Sequence, residues 1–230
     1  MPERFFAGGC ARVYRAAEQL TLLYGPRACG KTSLLFQFAI NCAAESGRDV
    51  VYVCNKQRME FKPPFVSQGV DPALPILGSI QMKYVEDDHE IKKYFAAFHL
   101  HDIFPAAVVI DDFGDFFNKG KSQHIYPQRN NTAMVRLLAL CQDAISHANS
   151  MLQPSGSCKL LLSDTHKGQI PRFLFIYKRW IQSIFIIEGD GIGPFLLKNM
   201  ASPGNLSTRM RTAKYSLSSQ LLVLEEMAEE

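Results

Sequence analysis

The chain has 230 residues, 47% of them hydrophobic and 20% charged, enough for one substantial core within the usual size of a single domain. Its formal charge of +3 is too mild to mark a nucleic-acid binder by itself, and no apolar run reaches the roughly 18 residues of a membrane-spanning helix. The six cysteines, Cys10, Cys29, Cys42, Cys54, Cys141 and Cys158, form no C-x-x-C pair, and the first twenty residues lack an apolar signal core. The sequence therefore reads as soluble and intracellular, with reduced thiols, no structural zinc and no membrane partner.

Residues 1–19 read as a short N-terminal extension. Leu20–Tyr24 is an apolar strand ending at Gly25-Pro26, and Lys31–Glu45 sets Leu34, Leu35, Phe38, Ile40 and Cys42 at roughly helical spacing. Asp49–Cys54 follows Gly47 as a second buried strand. The proline-rich stretch from Asn55 to Ile80 reads as an extended connection. Asp87–His99 has a helical pattern, and Ala106–Asp111 is a third strand that ends in two carboxylates. Phe113–Asn131 is polar, basic and irregular. Thr132–Ser150 then returns to helical periodicity through Met134, Leu137, Leu138, Cys141, Ala144 and Ile145, with Asn131 as its polar cap. Lys159–Ser163 and Ser183–Ile187 are the fourth and fifth strands. Pro194–Asn199, Lys214–Leu217 and Gln220–Leu224 read as short strands joined by turns, which closes a domain over residues 20–224. The acidic residues 225–230 read as a fraying tail.

Gly25-Pro26-Arg27-Ala28-Cys29-Gly30-Lys31-Thr32 satisfies G-x-x-x-x-G-K-[ST] after a strand and at the start of a helix, where the chemistry needs it. Glycines let the backbone curl so that successive N–H groups face phosphate oxygens, and the helix N-terminus adds its positive dipole end. Lys31 would then bridge the β- and γ-phosphates of a nucleoside triphosphate, ATP first of all, and Thr32 would give its hydroxyl to Mg²⁺. Asp111, at the C-terminal end of Val108-Val109-Ile110, is the candidate second carboxylate on the Mg²⁺ side, because ligands gather at strand C-termini in such sheets. Asp112 either hydrogen-bonds the metal-bound water or acts as general base.

With these elements in order, the sequence resembles the RecA-like recombinases over about Leu20 to Leu224, and within them the eukaryotic recombinase paralogues, in particular the SWIM-domain-associated ATPase subunits of Shu-type complexes. GPRACGKT, VVIDD and the ending RTAKYSL–LLVLEE carry the likeness. It implies an α/β fold with a RecA-like P-loop core: a mainly parallel sheet flanked by helices, with short C-terminal antiparallel strands. It also implies a nuclear subunit acting in homologous-recombination DNA repair. Its partners would be a SWIM-type zinc-finger protein and a recombinase or its paralogues. Single-stranded DNA would meet two loops, with Lys119, Lys121, His124 and Arg129 on the first and Lys167, Arg172, Lys178 and Arg179 on the second. Phe116, Phe117, Tyr126, Phe173, Phe175, Tyr177 and Trp180 are interleaved with these cations; for Phe173, Phe175 and Trp180 the competing reading is a helix core.

Two departures bear on turnover. Where that family sets a catalytic glutamate after the second strand, this chain has Asn55-Lys56-Gln57-Arg58, and where an amide senses the terminal phosphate it has Ser163-Asp164-Thr165-His166. Weak or partner-dependent hydrolysis is therefore expected. A small-molecule or nucleotide kinase and a nucleotide-gated scaffold without turnover are the alternative classes. Phe36-Gln37-Phe38-Ala39 matches a recombinase-filament contact motif, but its place in the P-loop helix makes it core.

Overall fold

The computed structural model describes all residues except Met1, 8–18, Pro72, 119–126, Ser155, 167–172, 190–192, 201–210 and Glu230, and describes only the backbone of Asn118, 127–130 and Glu229. A 3-10 turn at Pro2–Phe5 comes first. It is followed by β1 (Leu20–Gly25), α1 (Lys31–Ser46), β2 (Val50–Cys54), α2 (Lys56–Phe61), β3 (Val66–Ser67), a 3-10 turn at Pro75–Ser79 and β4 (Ile80–Tyr84). Next come α3 (Asp88–Ala96), a 3-10 turn at Phe98–Leu100, β5 (Ala107–Ile110), a 3-10 segment at Phe113–Asn118 and α4 (Pro127–Leu152). The rest is β6 (Lys159–Thr165), α5 (Leu174–Trp180), β7 (Ser183–Glu188), β8 (Phe195–Asn199), β9 (Arg211–Ser218) and β10 (Leu221–Glu229).

The strands make one sheet in the order β3-β10-β9-β8-β7-β1-β6-β5-β2-β4. From β7 to β4 all pairs are parallel, and from β7 to β10 they are antiparallel. Helices cover both faces of the parallel half, so its strands are apolar in both registers. Leu20, Leu22, Val108, Ile110, Leu160 and Leu162 face the core built with α3, α4 and α5, while Leu23, Val109 and Leu161 face the one built with α1. This is the expected α/β class: a mostly parallel sheet between helices, continued by antiparallel C-terminal strands.

Several expectations need correction. Residues 1–19 are more than an extension: Phe5 and Phe6 are buried, and Phe5 packs its ring on Phe38 and Phe185 at 5.8 and 5.2 Å. The stretch 55–80 is not merely an extended connection. It holds α2, started by Asn55 accepting from the Arg58 N–H and ended before Pro63-Pro64, and the edge strand β3 on β10. The strand β4 beside β2 escaped the sequence reading altogether. Helix α4 begins at Pro127, so Asn131 lies inside it rather than capping it. The acidic end is no frayed tail: β10 pairs with β9 as far as Glu229, and Lys214 faces Glu225 across the pair at 3.6 Å. Among the described residues, no helix is long and apolar enough to cross a membrane.

Candidate functional site

The loop between β1 and α1 curls because its backbone twice enters the left-handed region, at Ala28 (φ 59°) and Gly30 (φ 82°). Gly30 is doubly constrained, since a Cβ there would also lie 2.9 Å from Leu217 Cδ2. It caps α1 without any side-chain hydrogen bond, so the donor-rich, positive end of the helix opens on the cleft lined by residues 27–33. Lys31 is buried and donates to the Pro26 carbonyl at 2.7 Å, which folds its stem along the loop. From β9, the Tyr215 hydroxyl donates to the Cys29 carbonyl at 2.6 Å and pins the loop. Burial pushes the Cys29 thiol up, so it is not a reactive thiolate.

The carboxylates come from the end of β5, and β6 lies between that strand and β1. The gap is bridged by side chains. Thr32 Oγ1 donates to Asp111 Oδ2 at 2.8 Å, and Ser163 Oγ, from β6, donates to Asp111 Oδ1 at 2.7 Å. Asp112 stands at φ 52°; its N–H donates to Ser163 Oγ at 2.8 Å, and its Oδ1 accepts from Thr165 Oγ1 at 2.6 Å. Desolvation first, then the neighbouring Asp112 charge, push the Asp111 carboxyl up to about 6, against the pull of the Ser163 and Thr32 hydrogen bonds and of Lys31. Asp164, buried between these groups and α5, is pushed up to about 7 by desolvation although Tyr177 donates to it at 2.8 Å. Its oxygen fills the space that a Cβ on Gly114 would need.

The structure thus brings Gly25, Pro26, Arg27, Ala28, Cys29, Gly30, Lys31, Thr32, Asp111 and Asp112 around one end of the sheet. It does not bring Lys56 there. That side chain is exposed, 3.8 Å from Glu60 along its own helix, with its ammonium 5.9 Å from the Tyr84 ring centre. Arg58 is the residue that enters instead, reaching Asp112 Oδ2 at 3.1 Å and Asp115 Oδ2 at 2.5 Å. The sequence reading missed Arg58, and it missed the way Ser163 and Thr165, on one face of β6, orient the two aspartates. The alternation Ser-x-Thr at the strand tip was the available signal.

The cleft has a volume of ≈ 1110 Å³, and its other wall is apolar: Met59, Pro64, Phe65, Val70, Leu217 and Leu221. Such a combination of convergent polar groups and an apolar wall suits a small organic anion. Among the described residues, no cluster of three or more His, Cys, Asp or Glu could hold a metal ion by itself. The Thr32 hydroxyl and Asp111 do fit Mg²⁺, which keeps most of its shell as water and phosphate oxygen and takes only one or two protein oxygens.

Of the candidate DNA contacts, Lys119, Lys121, His124, Tyr126, Lys167 and Arg172 lie outside the described residues, as does the side chain of Arg129 in α4. Lys178 and Arg179 are exposed on the last turn of α5. Phe116, Phe117, Phe173 and Tyr177 are core residues, which removes them as stacking platforms; Phe175 is 65% exposed and Trp180 half-buried. The core assignment of the Phe36–Ala39 motif agrees with the packing: Ala39 is buried, and Phe36 stands 6.0 Å from Tyr52. The five described cysteines are buried and free. No protein-family model matches the chain, and no curated protein does.

Proposed function

We propose that this chain is a RecA-like recombinase-paralogue subunit that binds Mg²⁺·ATP, and that it acts in the nucleus in homologous-recombination repair. A SWIM-type zinc-finger protein and a recombinase or its paralogues would be its partners, and single-stranded DNA its second ligand. One observation carries the nucleotide half: Thr32 and Asp111, 79 residues apart, meet at 2.8 Å beside Lys31 and the uncapped start of α1. In this reading Gly25, Pro26, Arg27, Ala28, Cys29 and Gly30 form the phosphate cradle, Lys31 supplies the cation, and Thr32 and Asp111 hold Mg²⁺. When bound, Mg²⁺ would supply positive charge that offsets the charge of the phosphates. The order of strands and crossovers around this site supports the recombinase assignment, and the exposed end of α5 supports the DNA contact.

The same geometry supports weak turnover. A general base must reach the proton that it abstracts. After β2 the expected position is Lys56, a cation turned away from the cleft, and Asp112 shares its carboxylate with Thr165. This arrangement favours a subunit with weak or partner-dependent hydrolysis over a kinase. Titration of the protein with ATP, with and without Mg²⁺, decides the core claim. Wild type is expected to bind in a Mg²⁺-dependent manner, and Lys31→Ala to weaken binding at least tenfold, as loss of charge-assisted contacts to phosphate requires. Equal binding by the two proteins would overturn it.

A further inference from the structure

Arg58 ties together two connections that are far apart in sequence. It projects from α2, just after β2, and its guanidinium spans Asp112 and Asp115, which follow β5, 54 and 57 residues later. The ion pairs sit at the mouth of the cleft, with the arginine side chain 53% exposed, so solvent screens them and little is lost when they part. Around the same cleft stand three carboxylates, Asp111, Asp112 and Asp115. The Arg58 fork rests on carboxylates that a phosphate can displace, being an equally good bidentate acceptor with more charge.

We infer that Arg58 is the residue that distinguishes a nucleoside triphosphate from a diphosphate: without a triphosphate it rests on Asp112 and Asp115, and with one it passes to the terminal phosphate and releases both carboxylates. The inference rests on the reading that Gly25–Thr32 cradles a triphosphate. No covalent step is involved; one anion replaces two others on the same guanidinium. Departure of Arg58 removes the ion pair that links the 3-10 segment Phe113–Asn118 to α2. That segment packs Phe113 against Phe117 and, at 6.5 Å, against Tyr177 of α5. The arginine thereby ties nucleotide state to the helix that carries Lys178 and Arg179.

The test is the ratio of ATP to ADP affinity, measured by calorimetry on the full chain at fixed Mg²⁺, for wild type, Arg58→Ala and Asp115→Asn. Arg58→Ala is expected to lower the preference for ATP about tenfold, the weight of one charge-assisted hydrogen bond, while ADP affinity stays within about twofold. Asp115→Asn, which removes a competitor for the guanidinium, is expected to raise the preference for ATP. An equal change for both nucleotides in Arg58→Ala, or an unchanged ratio in either variant, overturns the role of Arg58 while leaving the cradle intact. Failure of wild type to bind either nucleotide overturns the cradle and this inference together. Because Arg58 is half exposed, the variants retain the core, and unchanged thermal unfolding of each confirms it.

Discussion

The Asp111 carboxyl is desolvated at the expense of stability, and Asp111→Asn should show by how much. The amide keeps the shape of the carboxyl and can still accept from Ser163 Oγ, while Thr32 Oγ1 can turn to accept from the new amide nitrogen. What disappears is a desolvated charge. The carboxyl is raised from an ordinary 3.8 to about 6 in the folded chain, chiefly by burial. A raised acid binds its proton more tightly when folded, so its contribution to stability is complete below 3.8 and is lost as pH climbs through 6. Fully converted, that difference is roughly 3 kcal/mol at pH 8; because the group still opens on the cleft, screening trims it to about 1–3 kcal/mol. For a chain of this size each kcal/mol moves Tm by about 2–4 °C. Thermal unfolding without nucleotide should therefore show Asp111→Asn several degrees more stable than wild type at pH 8, with the gap closing toward pH 5. Asp164, present in both proteins, cancels in the difference. A variant no more stable than wild type at pH 8, or a gap independent of pH, would refute the reasoning.

Gly30→Ala should cost about 1–2 kcal/mol from the left-handed backbone alone, and more from the contact with Leu217; denaturant unfolding reads it, and no loss of stability would contradict the loop geometry. Tyr177→Phe removes the donor to Asp164 and should cost about 1–3 kcal/mol at pH 8. The loss should be smaller at pH 6, where a protonated Asp164 no longer depends on that donor, so an equal loss at both values would argue against it. If the end of α5 meets single-stranded DNA, Lys178→Glu with Arg179→Glu should lower affinity in an anisotropy titration and reduce the slope of log K against log salt by about 1.4; an unchanged slope removes both residues from the interface.

The strand–loop–helix turn at Gly25–Thr32 was legible because its pattern is local. Eight residues specify the backbone curl, the helix start and the cation, and each needs a residue type that few other structures require. Asp111 was legible for a related reason, as a carboxylate that ends an apolar run. Arg58 was not. Lys56 and Arg58 are two positions apart on a six-residue helix, and which of them faces the cleft is decided by how α2 lies against β4 and the end of β5, a tertiary fact. The strand β4 stayed hidden because Ile80 and Met82 alternate with polar residues at a sheet edge, directly after a stretch whose prolines suggest a loop. Aromatic residues among cations are ambiguous in principle, since Phe116, Phe117, Phe173 and Tyr177 suit a stacking surface and a core equally until the packing is known. The acidic ending misled because charge suggests a tail, whereas cross-strand cations such as Lys214 make the same residues acceptable in a strand.

The first few residues have a reach beyond their size. The Asn41 side-chain amide donates to the carbonyls of Arg4 and Phe6 at 2.9 Å, and Phe5 lies against Phe38, so the segment is sewn to the back of the helix whose front carries Lys31 and Thr32. Arg211 closes the stitch from the other side, meeting Glu3 at 2.7 Å. Any processing, fusion or alternative start that alters these residues would be transmitted along α1 as a loss of stiffness at the loop Gly25–Thr32, making residues 3–6 a determinant of that loop's geometry from a distance.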